Sequence, residues 1–205
     1  MKKNKISKNW LAKQKRDRYF KQSKVQGFRS RSAFKLIEIN KKFKFLKQNI
    51  SLLDLGSSPG GWSQVAIKEI KVGKILSVDI KPMDKIDKID FLEGDFVQPD
   101  IYKKIMTYFN NSIDVVMSDM ACNTTGNKEL DSFKTGELCL NAMDLAKKIL
   151  VEDGIFLSKV FMGSIFKEIN QKAKESFKKV VNYKPAASKK ESKEIYIFCK
   201  GVLKI

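Results

Sequence analysis

The side chains of this sequence most able to carry chemistry are acids and lysines that stand next to short hydrophobic runs. Asp79, Asp95 and Asp119 each follow closely on such a run, and Lys159 lies inside another, at residues 155–161. Lysine is almost never fully buried unless it is paired, so Lys159 either reaches water from a strand end or belongs to an active site. Because the chain contains no histidine, acid–base work must fall to Lys, Asp, Glu, Tyr or Cys.

A glycine-rich turn follows the first hydrophobic run. Residues 52–64 read LLDLGSSPGGWSQ, which predicts a buried strand, a tight turn through Gly56, Gly60 and Gly61, and the start of a helix. Such a corner holds nucleotide ligands in open α/β sheets. The spacing D-x-G-x-x-P-G-G lacks the second glycine of the dinucleotide pattern, and it fits better a corner that holds S-adenosylmethionine. A tight turn without any ligand is the alternative.

Strands and helices alternate along the rest of the chain. The predicted strands are residues 52–55, 74–79, 89–92, 113–119, 154–161, 178–183 and 194–199, the last two as an antiparallel pair. Helical patterns lie near residues 30–43, 60–71, 100–110, 133–150 and 164–176, and the polar stretch 184–193 predicts a mobile loop. We therefore predict an α/β fold with a mostly parallel, doubly wound, seven-stranded sheet, an antiparallel last strand, and helices on both faces.

This fold gives the three acids a common place. Ligands of doubly wound sheets bind outside the carboxyl ends of the strands, where Asp79, Asp95 and Asp119 are expected. One acid at a strand end is commonly a helix cap or a solvated loop residue. Three acids at neighbouring strand ends around one glycine turn are harder to dismiss, and we expect them to line a ligand site.

The charge of the chain indicates a polyanionic partner. The net charge is +18 over 205 residues, which favours nucleic acid binding. An AT-rich coding sequence would also enrich lysine without any selection for binding. The charge is uneven, however, because residues 1–31 carry many basic residues and a single acid, Asp17. We therefore predict a basic RNA-contacting arm at residues 1–30, followed by a single domain at residues 31–205.

The arm contains aromatic residues between its charges. Trp10, Tyr19, Phe20 and Phe28 are interleaved with lysine and arginine, and this combination can stack on bases while following phosphates. The alternative is a short amphipathic helix that docks on the domain through its aromatic side chains. Both descriptions can hold together.

Three further properties bound the class of protein. The three cysteines are widely spaced and form no C-x-x-C pair, so we expect neither a disulfide framework nor a metal site. We expect the protein to reside in a reducing cytoplasm. No signal peptide and no apolar run long enough for a membrane span are visible. A monomer is the default expectation.

Seven motifs, in order over nearly the whole chain, resemble the FtsJ family of ribosomal RNA large-subunit 2′-O-methyltransferases. They are FRSRSAFKL at 28–36, DLGSSPGGWSQ at 54–64, DIKPMD at 79–84, EGDF at 93–96, MSDMACNTTG at 117–126, SKVF at 158–161 and SKEIYIFCKG at 192–201. The resemblance implies a Rossmann-like methyltransferase fold with S-adenosylmethionine as cofactor. The implied reaction is 2′-O-methylation of a uridine in large-subunit (23S) ribosomal RNA, in the assembled subunit.

The resemblance also implies a Lys-Asp-Lys-Glu tetrad. Its members fall on Lys35, Asp119, Lys159 and Glu194, with Lys159 as the proton acceptor. The implied cofactor contacts are Gly60, Trp62, Asp79, Asp95 and Asp119. Without the resemblance, Lys35 would be taken as a surface lysine.

The chemistry of such a site leaves one choice open. Lys159 would have to be neutral to accept the proton of a ribose hydroxyl, and a nearby ammonium from Lys35 would favour that form. In the variant mechanism Lys159 stays charged and stabilises the developing alkoxide, and Asp119 takes the proton.

The sequence departs from the family pattern in two places. Cys122 stands where the family usually has proline, and Ser57-Ser58 where it often has two alanines.

Three other functions remain as alternatives. They are the same reaction on transfer RNA or an mRNA cap, a non-catalytic RNA-binding or ribosome-assembly factor, and a nicotinamide-dependent oxidoreductase, which the missing G-x-G-x-x-G pattern disfavours.

Overall fold

The computed structural model describes residues 17–122 and 125–203, which form seven strands and six helices within those ranges. The strands are β1 (Ile50–Leu55), β2 (Gly73–Asp79), β3 (Asp90–Glu93), β4 (Ile113–Ser118), β5 (Leu150–Phe161), β6 (Phe177–Tyr183) and β7 (Glu194–Val202). The helices are α1 (Arg18–Val25), α2 (Ala33–Phe43), α3 (Gly61–Ile70), α4 (Pro99–Tyr108), α5 (Lys128–Ile149) and α6 (Phe166–Ser176).

All seven strands belong to one sheet in the order β3-β2-β1-β4-β5-β7-β6. The first five strands in that order run parallel to one another, whereas β7 is antiparallel to both β5 and β6. The predicted fold class, a mostly parallel seven-stranded sheet with an antiparallel last strand, is therefore confirmed. The carboxyl ends of the parallel strands all lie at the same edge of the sheet.

Helices cover both faces of the sheet and enclose two apolar cores. One core contains α2 and α3 with β-strand residues such as Leu52 and Tyr196. The other lies between the sheet and α4, α5 and α6, with strand residues such as Leu53 and Leu55. The alternation of Leu52 and Leu53 between the two cores follows from the period of two of a strand that is buried on both faces.

Local signals in the sequence start several of these helices. Asp17 accepts hydrogen bonds from the backbone N–H groups of Tyr19 and Phe20 and so caps α1. Asn127 caps α5 in the same way, and Pro99 opens α4, where its missing N–H would have no acceptor. Helix α5 therefore begins five residues earlier than the hydrophobic period predicts, because its first turn is set by a polar cap and not by apolar residues.

The amino-terminal segment packs on the domain over its described part. Tyr19 and Phe28 both contact Phe34 of α2, and Phe28 is buried. This corresponds to the alternative in which aromatic residues dock a short helix. The boundary at residue 31 stays a prediction, and Trp10, with residues 1–16, lies outside the described residues.

The polar stretch 184–193 is tied down at its centre, although the sequence predicts a mobile loop. Ala187 and Ser188 are buried. The Ala187 N–H donates to Glu38 Oε2 at 3.2 Å, and its carbonyl accepts from the Arg31 guanidinium. These partners lie about 150 residues earlier in the chain, so local composition does not reveal them. In the described ranges, no helix has both the length and the apolar character that a membrane crossing requires.

Substitution of Gly56 tests how closely the chain approaches itself at the glycine turn. Gly56 has φ of 74°, and a Cβ atom there would lie 2.3 Å from Met120 Cγ. We expect Gly56→Ala to lose about 1–2 kcal/mol from the left-handed backbone and about 1–3 kcal/mol more from overpacking. Urea unfolding followed by circular dichroism measures the loss.

Gly27→Ala is the matched control for this substitution. Gly27 has φ of 70°, but no atom lies within 4 Å of a Cβ placed there. It should therefore show the backbone loss alone. Equal losses at the two positions would contradict the close approach to Met120.

Candidate active site

A cavity of about 640 Å³ opens at the carboxyl edge of the sheet. Three predicted cofactor residues line it, namely Asp79, Asp95 and Asp119, together with Gly56 of the glycine turn. One side of α5 also lines the cavity, through Lys134, Glu137, Leu138 and Asn141. The structure thus brings acids from three separate strand ends to one cavity, as doubly wound sheets do.

The strand register explains why these residues meet. Leu55 of β1 lies opposite both Val78 of β2 and Ser118 of β4, and Ser118 lies opposite Ser158 of β5. The residues that come next along the four strands are Gly56, Asp79, Asp119 and Lys159. The glycine turn, two acids and the lysine therefore stand side by side in one row.

Asp79 and Asp95 are held by the backbone and still face the cavity. Asp79 Oδ2 accepts from the Ser58 N–H at 2.9 Å, and Oδ1 accepts from the Lys81 N–H at 2.8 Å. Asp95 Oδ1 accepts from the Val97 N–H at 3.1 Å. Each carboxylate oxygen has two lone pairs, so capacity remains to accept hydroxyl or amino hydrogens from a ligand.

Gly60 and Trp62 are placed differently from the three acids, since neither lines the cavity. The Trp62 side chain is buried in the core, and its indole N–H donates to the Ser32 carbonyl at 3.0 Å. Gly60 precedes the first residue of α3. The N–H groups of a first helical turn have no acceptor within their helix. The Gly60 N–H already donates to the Ser57 carbonyl at 2.6 Å. Trp62 can therefore serve a ligand through its backbone N–H, and not through the indole.

Arg29 connects two loops that also carry cavity-lining residues. Its guanidinium donates to the carbonyls of Pro59 at 3.2 Å, Asp84 at 2.7 Å and Lys85 at 2.9 Å. Pro59 belongs to the glycine turn, and the other two follow β2. A planar guanidinium with five donors suits this bridge. Arg29 therefore fixes the distance between the glycine turn and the β2 loop.

The four side chains of the predicted tetrad, Asp119 among them, converge in two ion pairs. Lys159 Nζ lies 3.1 Å from Asp119 Oδ1 and also donates to the Asp119 carbonyl. Lys35 Nζ lies 2.7 Å from Glu194 Oε1 and 2.8 Å from Oε2. All four side chains are largely shielded from solvent. Residues from α2, β5, β7 and the end of β4 are thus brought to one place.

Two residues that sequence reasoning missed complete the cluster. The Tyr196 hydroxyl donates to Asp119 Oδ1 at 2.7 Å, and the Ser188 hydroxyl donates to Glu194 Oε1 at 2.8 Å. Tyr196 could have been found, because it stands two residues after Glu194 on the same face of a strand. Ser188 lies in a lysine-rich polar stretch and carries no such signal.

The electrostatics of the cluster favour an ionised Asp119. Burial alone would raise the pKa of the Asp119 carboxyl, but the nearby Lys159 and Lys35 ammonium groups and the Tyr196 hydroxyl outweigh it, so the pKa is lowered. Burial, followed by the Asp119 and Glu194 carboxylates, raises the pKa of Tyr196 well above its ordinary value. Tyr196 therefore remains a neutral donor.

Asp54, beneath the glycine turn, behaves in the opposite way. It is fully buried, and its pKa is raised to about 7. Burial and the charges of Asp119 and Asp79 raise the pKa, and they outweigh the hydrogen bond from Ser63, which lowers it. The Ser63 hydroxyl donates to Asp54 Oδ2 at 2.6 Å and lies 2.9 Å from the Ser77 hydroxyl. Within the described residues, Asp54 Oδ1 has no hydrogen-bond partner.

The arrangement as a whole can take a proton from a hydroxyl group beside the cavity. Lys159 Nζ has two acceptors on Asp119, and a neutral amine in that position would keep its lone pair for a third partner. Lys35 adds a second cation that can stabilise developing negative charge. Across residues 17–122 and 125–203, no cluster of histidine, cysteine and acid residues has the form of a metal site.

The sequence is similar to known proteins over nearly its whole length. Residues 28–202 match the model of the FtsJ-like methyltransferase family. The chain is 52% identical over 200 residues to ribosomal RNA large subunit methyltransferase E of Pelagibacter ubique (strain HTCC1062), covering 98% of each chain. It is 43% identical over 195 residues to the protein of the same name from Rickettsia akari (strain Hartford), covering 92% of this chain and 86% of the relative.

Two solved structures extend the comparison to the fold. A crystal structure described as a ribosomal RNA methyltransferase from Plasmodium falciparum matches with a TM-score of 0.78 and 32% identity, over 87% of this chain and 100% of the other. Human methyltransferase-like protein 13 in complex with SAH matches with a TM-score of 0.55 and 15% identity, over 82% and 78% of the two chains. The second likeness concerns the fold alone.

Replacement of Asp54 tests its raised pKa. Because the folded-state pKa of about 7 exceeds the ordinary value of 3.8, the protonated carboxyl favours folding, and its contribution falls as pH rises from about 4 to 7. We expect the free energy of unfolding of the wild type, relative to Asp54→Asn, to fall by up to about 1.4 kcal/mol per pH unit in this window. Urea titrations between these pH values measure it. Parallel pH profiles for the two proteins would contradict the assignment.

Proposed function

The chain belongs to the FtsJ-like methyltransferase family and is an S-adenosylmethionine-dependent RNA methyltransferase, and we propose that it methylates a ribose 2′-hydroxyl of a uridine in large-subunit (23S) ribosomal RNA. The relatives named ribosomal RNA large subunit methyltransferase E support the substrate class. We propose further that the substrate is the assembled large subunit in the cytoplasm, and that the enzyme acts as a monomer.

The cavity has the properties that S-adenosylmethionine requires. Its volume of about 640 Å³ lies in the range of about 300–1,000 Å³ typical of small-molecule sites. Asp79 is suited to accept from ribose hydroxyls and Asp95 from the amino group of adenine. The N–H groups of the first turn of α3, which follows Gly60 and includes Trp62, can bind the carboxylate of the cofactor. When bound, the cofactor supplies an electrophilic methyl group on a sulfonium.

The observation that carries the proposal is the position of Lys159. Lys159 is only 7% exposed near the carboxyl end of β5, and its Nζ is held on both the carboxylate and the carbonyl of Asp119. An amine with two fixed acceptors has one remaining direction in which to accept a proton. We assign Lys159 as the group that removes the proton from the 2′-hydroxyl, a step that contributes about 10²–10⁴-fold.

The ionisation of Asp119 supports one of the two mechanisms left open by the sequence. A carboxylate whose pKa is lowered is a poor proton acceptor, so the geometry favours Lys159 over Asp119 in this role. Asp119 then orients the lysine amine. Lys35 stabilises the alkoxide as it forms, and Glu194, held by Ser188, orients Lys35.

The basic amino-terminal arm is proposed to hold the RNA. Arg29 of the arm donates to three carbonyls, and Arg31, just after the arm, pairs with Asp17 and the Ala187 carbonyl. These two arginines thus support the fold. We therefore assign phosphate contacts chiefly to the basic residues among positions 1–24.

Replacement of Lys159 tests the catalytic assignment. We expect Lys159→Ala to lower methyl transfer by at least about 10²-fold, because the proton acceptor is lost. The measurement is incorporation of labelled methyl groups, with the product mapped for 2′-O-methyl uridine. Assembled large subunits, naked ribosomal RNA and transfer RNA are compared as substrates, and we expect the assembled subunit to be preferred.

Lys172→Ala is the matched control, since Lys172 pairs with Asp144 between α6 and α5 at 2.7 Å and does not line the cavity. It should transfer methyl groups at the wild-type rate. Undiminished transfer by Lys159→Ala would contradict the role of Lys159 as the proton acceptor. A preference for transfer RNA would contradict large-subunit ribosomal RNA as the substrate.

The salt dependence of RNA binding tests the arm. If about five phosphates of unpaired RNA are contacted, affinity should fall about 10²-fold between about 50 and 200 mM salt. Replacement of Lys13, Lys15 and Arg16 by glutamine should flatten this dependence by about 0.7 in log–log slope for each contact removed. Filter binding at several salt concentrations measures the slope.

The control for the arm replaces Lys103, Lys104 and Lys174 by glutamine. These lysines are exposed on α4 and α6, which cover the face of the sheet opposite α2 and α3. The control variant should keep the wild-type slope. If both triple variants flatten the salt dependence equally, RNA binding depends on total positive charge and not on the arm, which would contradict the assignment.

A further inference from the structure

We propose that Tyr196 is a positioning residue of the methyl-transfer reaction, whose hydroxyl holds the Asp119 carboxylate in the orientation that in turn holds the Lys159 amine. This inference rests on the proposed function, because it assigns a role within the same site. Tyr196 itself is not expected to touch the substrate.

A shared carboxylate oxygen connects the three residues. The Tyr196 hydroxyl donates to Asp119 Oδ1 at 2.7 Å, and Lys159 Nζ lies 3.1 Å from the same oxygen. Tyr196 also lies directly opposite Lys159 in the antiparallel pairing of β5 and β7. The two donors that approach Oδ1 therefore start from paired backbone positions, which fixes their separation.

Packing fixes the hydroxyl independently of Asp119. Tyr196 is fully buried, and its ring centroid lies 5.7 Å from that of Trp62. Lys35 Nζ lies over the Tyr196 ring at 5.8 Å from the centroid, within the range of a cation–π contact. The ring thus also connects the two ion pairs of the site, since Lys35 belongs to one and Asp119 to the other.

The hydroxyl differs in kind from the other groups around Asp119. The titratable groups that face this carboxylate, or that face Tyr196 beside it, are Lys159 from β5, Lys35 from α2, Tyr196 and Glu194 from β7, and Asp54 from β1. The lysines can change charge during proton transfer, whereas the raised pKa of Tyr196 keeps its proton in place. Tyr196 therefore supplies a hydrogen bond that lasts through the reaction and favours the ionised form of Asp119.

Substitution Tyr196→Phe removes this hydroxyl and keeps the ring. Without it, Asp119 stays ionised at neutral pH but is held less firmly, so the Lys159 amine is no longer aligned. The pKa of Asp119 should also rise, so that in acid solution it is protonated, and stops accepting from Lys159, at a higher pH than in the wild type. We expect kcat to fall about 10-fold at neutral pH, and the acid limb of the pH–rate profile to move up by about one pH unit. The KM values for S-adenosylmethionine and for RNA should stay at those of the wild type.

Two further variants make the experiment specific. Tyr183→Phe is the matched control, because Tyr183 lies opposite Tyr196 in the β6–β7 pairing but packs against Phe43 and Lys42. It should leave kcat and the pH profile unchanged. Tyr196→Met also lacks the hydroxyl but fills the space differently. It should move the acid limb by the same amount as Tyr196→Phe, whatever its effect on stability.

The possible outcomes separate this inference from the proposed function. If the wild-type protein transfers no methyl group to ribosomal RNA, the proposed function fails. If the wild type is active and Tyr196→Phe keeps the wild-type acid limb, the positioning role is overturned while the proposed function stands. A lower kcat with an unmoved acid limb, or a raised KM alone, would equally overturn it, since either would reduce Tyr196 to a packing residue.

Discussion

The register of four parallel strands is the constraint on which the site depends. Leu55, Val78, Ser118 and Ser158 lie opposite one another across β1, β2, β4 and β5. Every side chain that follows them is therefore delivered to the same edge at nearly the same height. A slip of one residue in any pairing would turn its functional side chain to the other face of the sheet. The apolar residues before the strand ends are buried on both faces of the sheet and so fix the register. This register in turn places the polar residues that follow them.

Charge balance is the second requirement of the site. Two ammonium groups and two carboxylates are buried together, and such burial costs free energy unless the charges are paired and hydrogen-bonded. The pairing here is complete in that sense, because each carboxylate meets one lysine and one hydroxyl. A hydrophobic cluster of the same volume would often be at least as stable. Stability alone therefore does not account for the arrangement, which supports the proposed proton transfer.

The sequence predicts the parts of this site that lie at the ends of strands and misses those that arrive from elsewhere. Asp79, Asp119 and Lys159 could be found because a charged residue beside a hydrophobic run is unusual. Lys35 and Glu194 carry no such signal and were predicted only from the family resemblance. They meet although 159 residues separate them, which is a property of the tertiary fold. The same reason applies to Ser188 and to the anchoring of residues 184–193, where local composition favours a mobile loop.

The two departures from the family pattern, at Cys122 and at Ser57-Ser58, both change the hydrogen bonds of loops that line the cavity. The Cys122 N–H donates to Thr135 Oγ1 at 3.4 Å, and its thiol donates to the Asp131 carbonyl at 3.3 Å. A proline has no N–H and no polar side chain, so it could form neither bond. The Ser58 hydroxyl donates to the Pro82 carbonyl at 3.1 Å, which an alanine could not do. Both changes add hydrogen bonds between the loops that follow β1, β2 and β4 and their neighbours. Since these loops line the cavity, the departures hold its walls in place without touching any member of the tetrad.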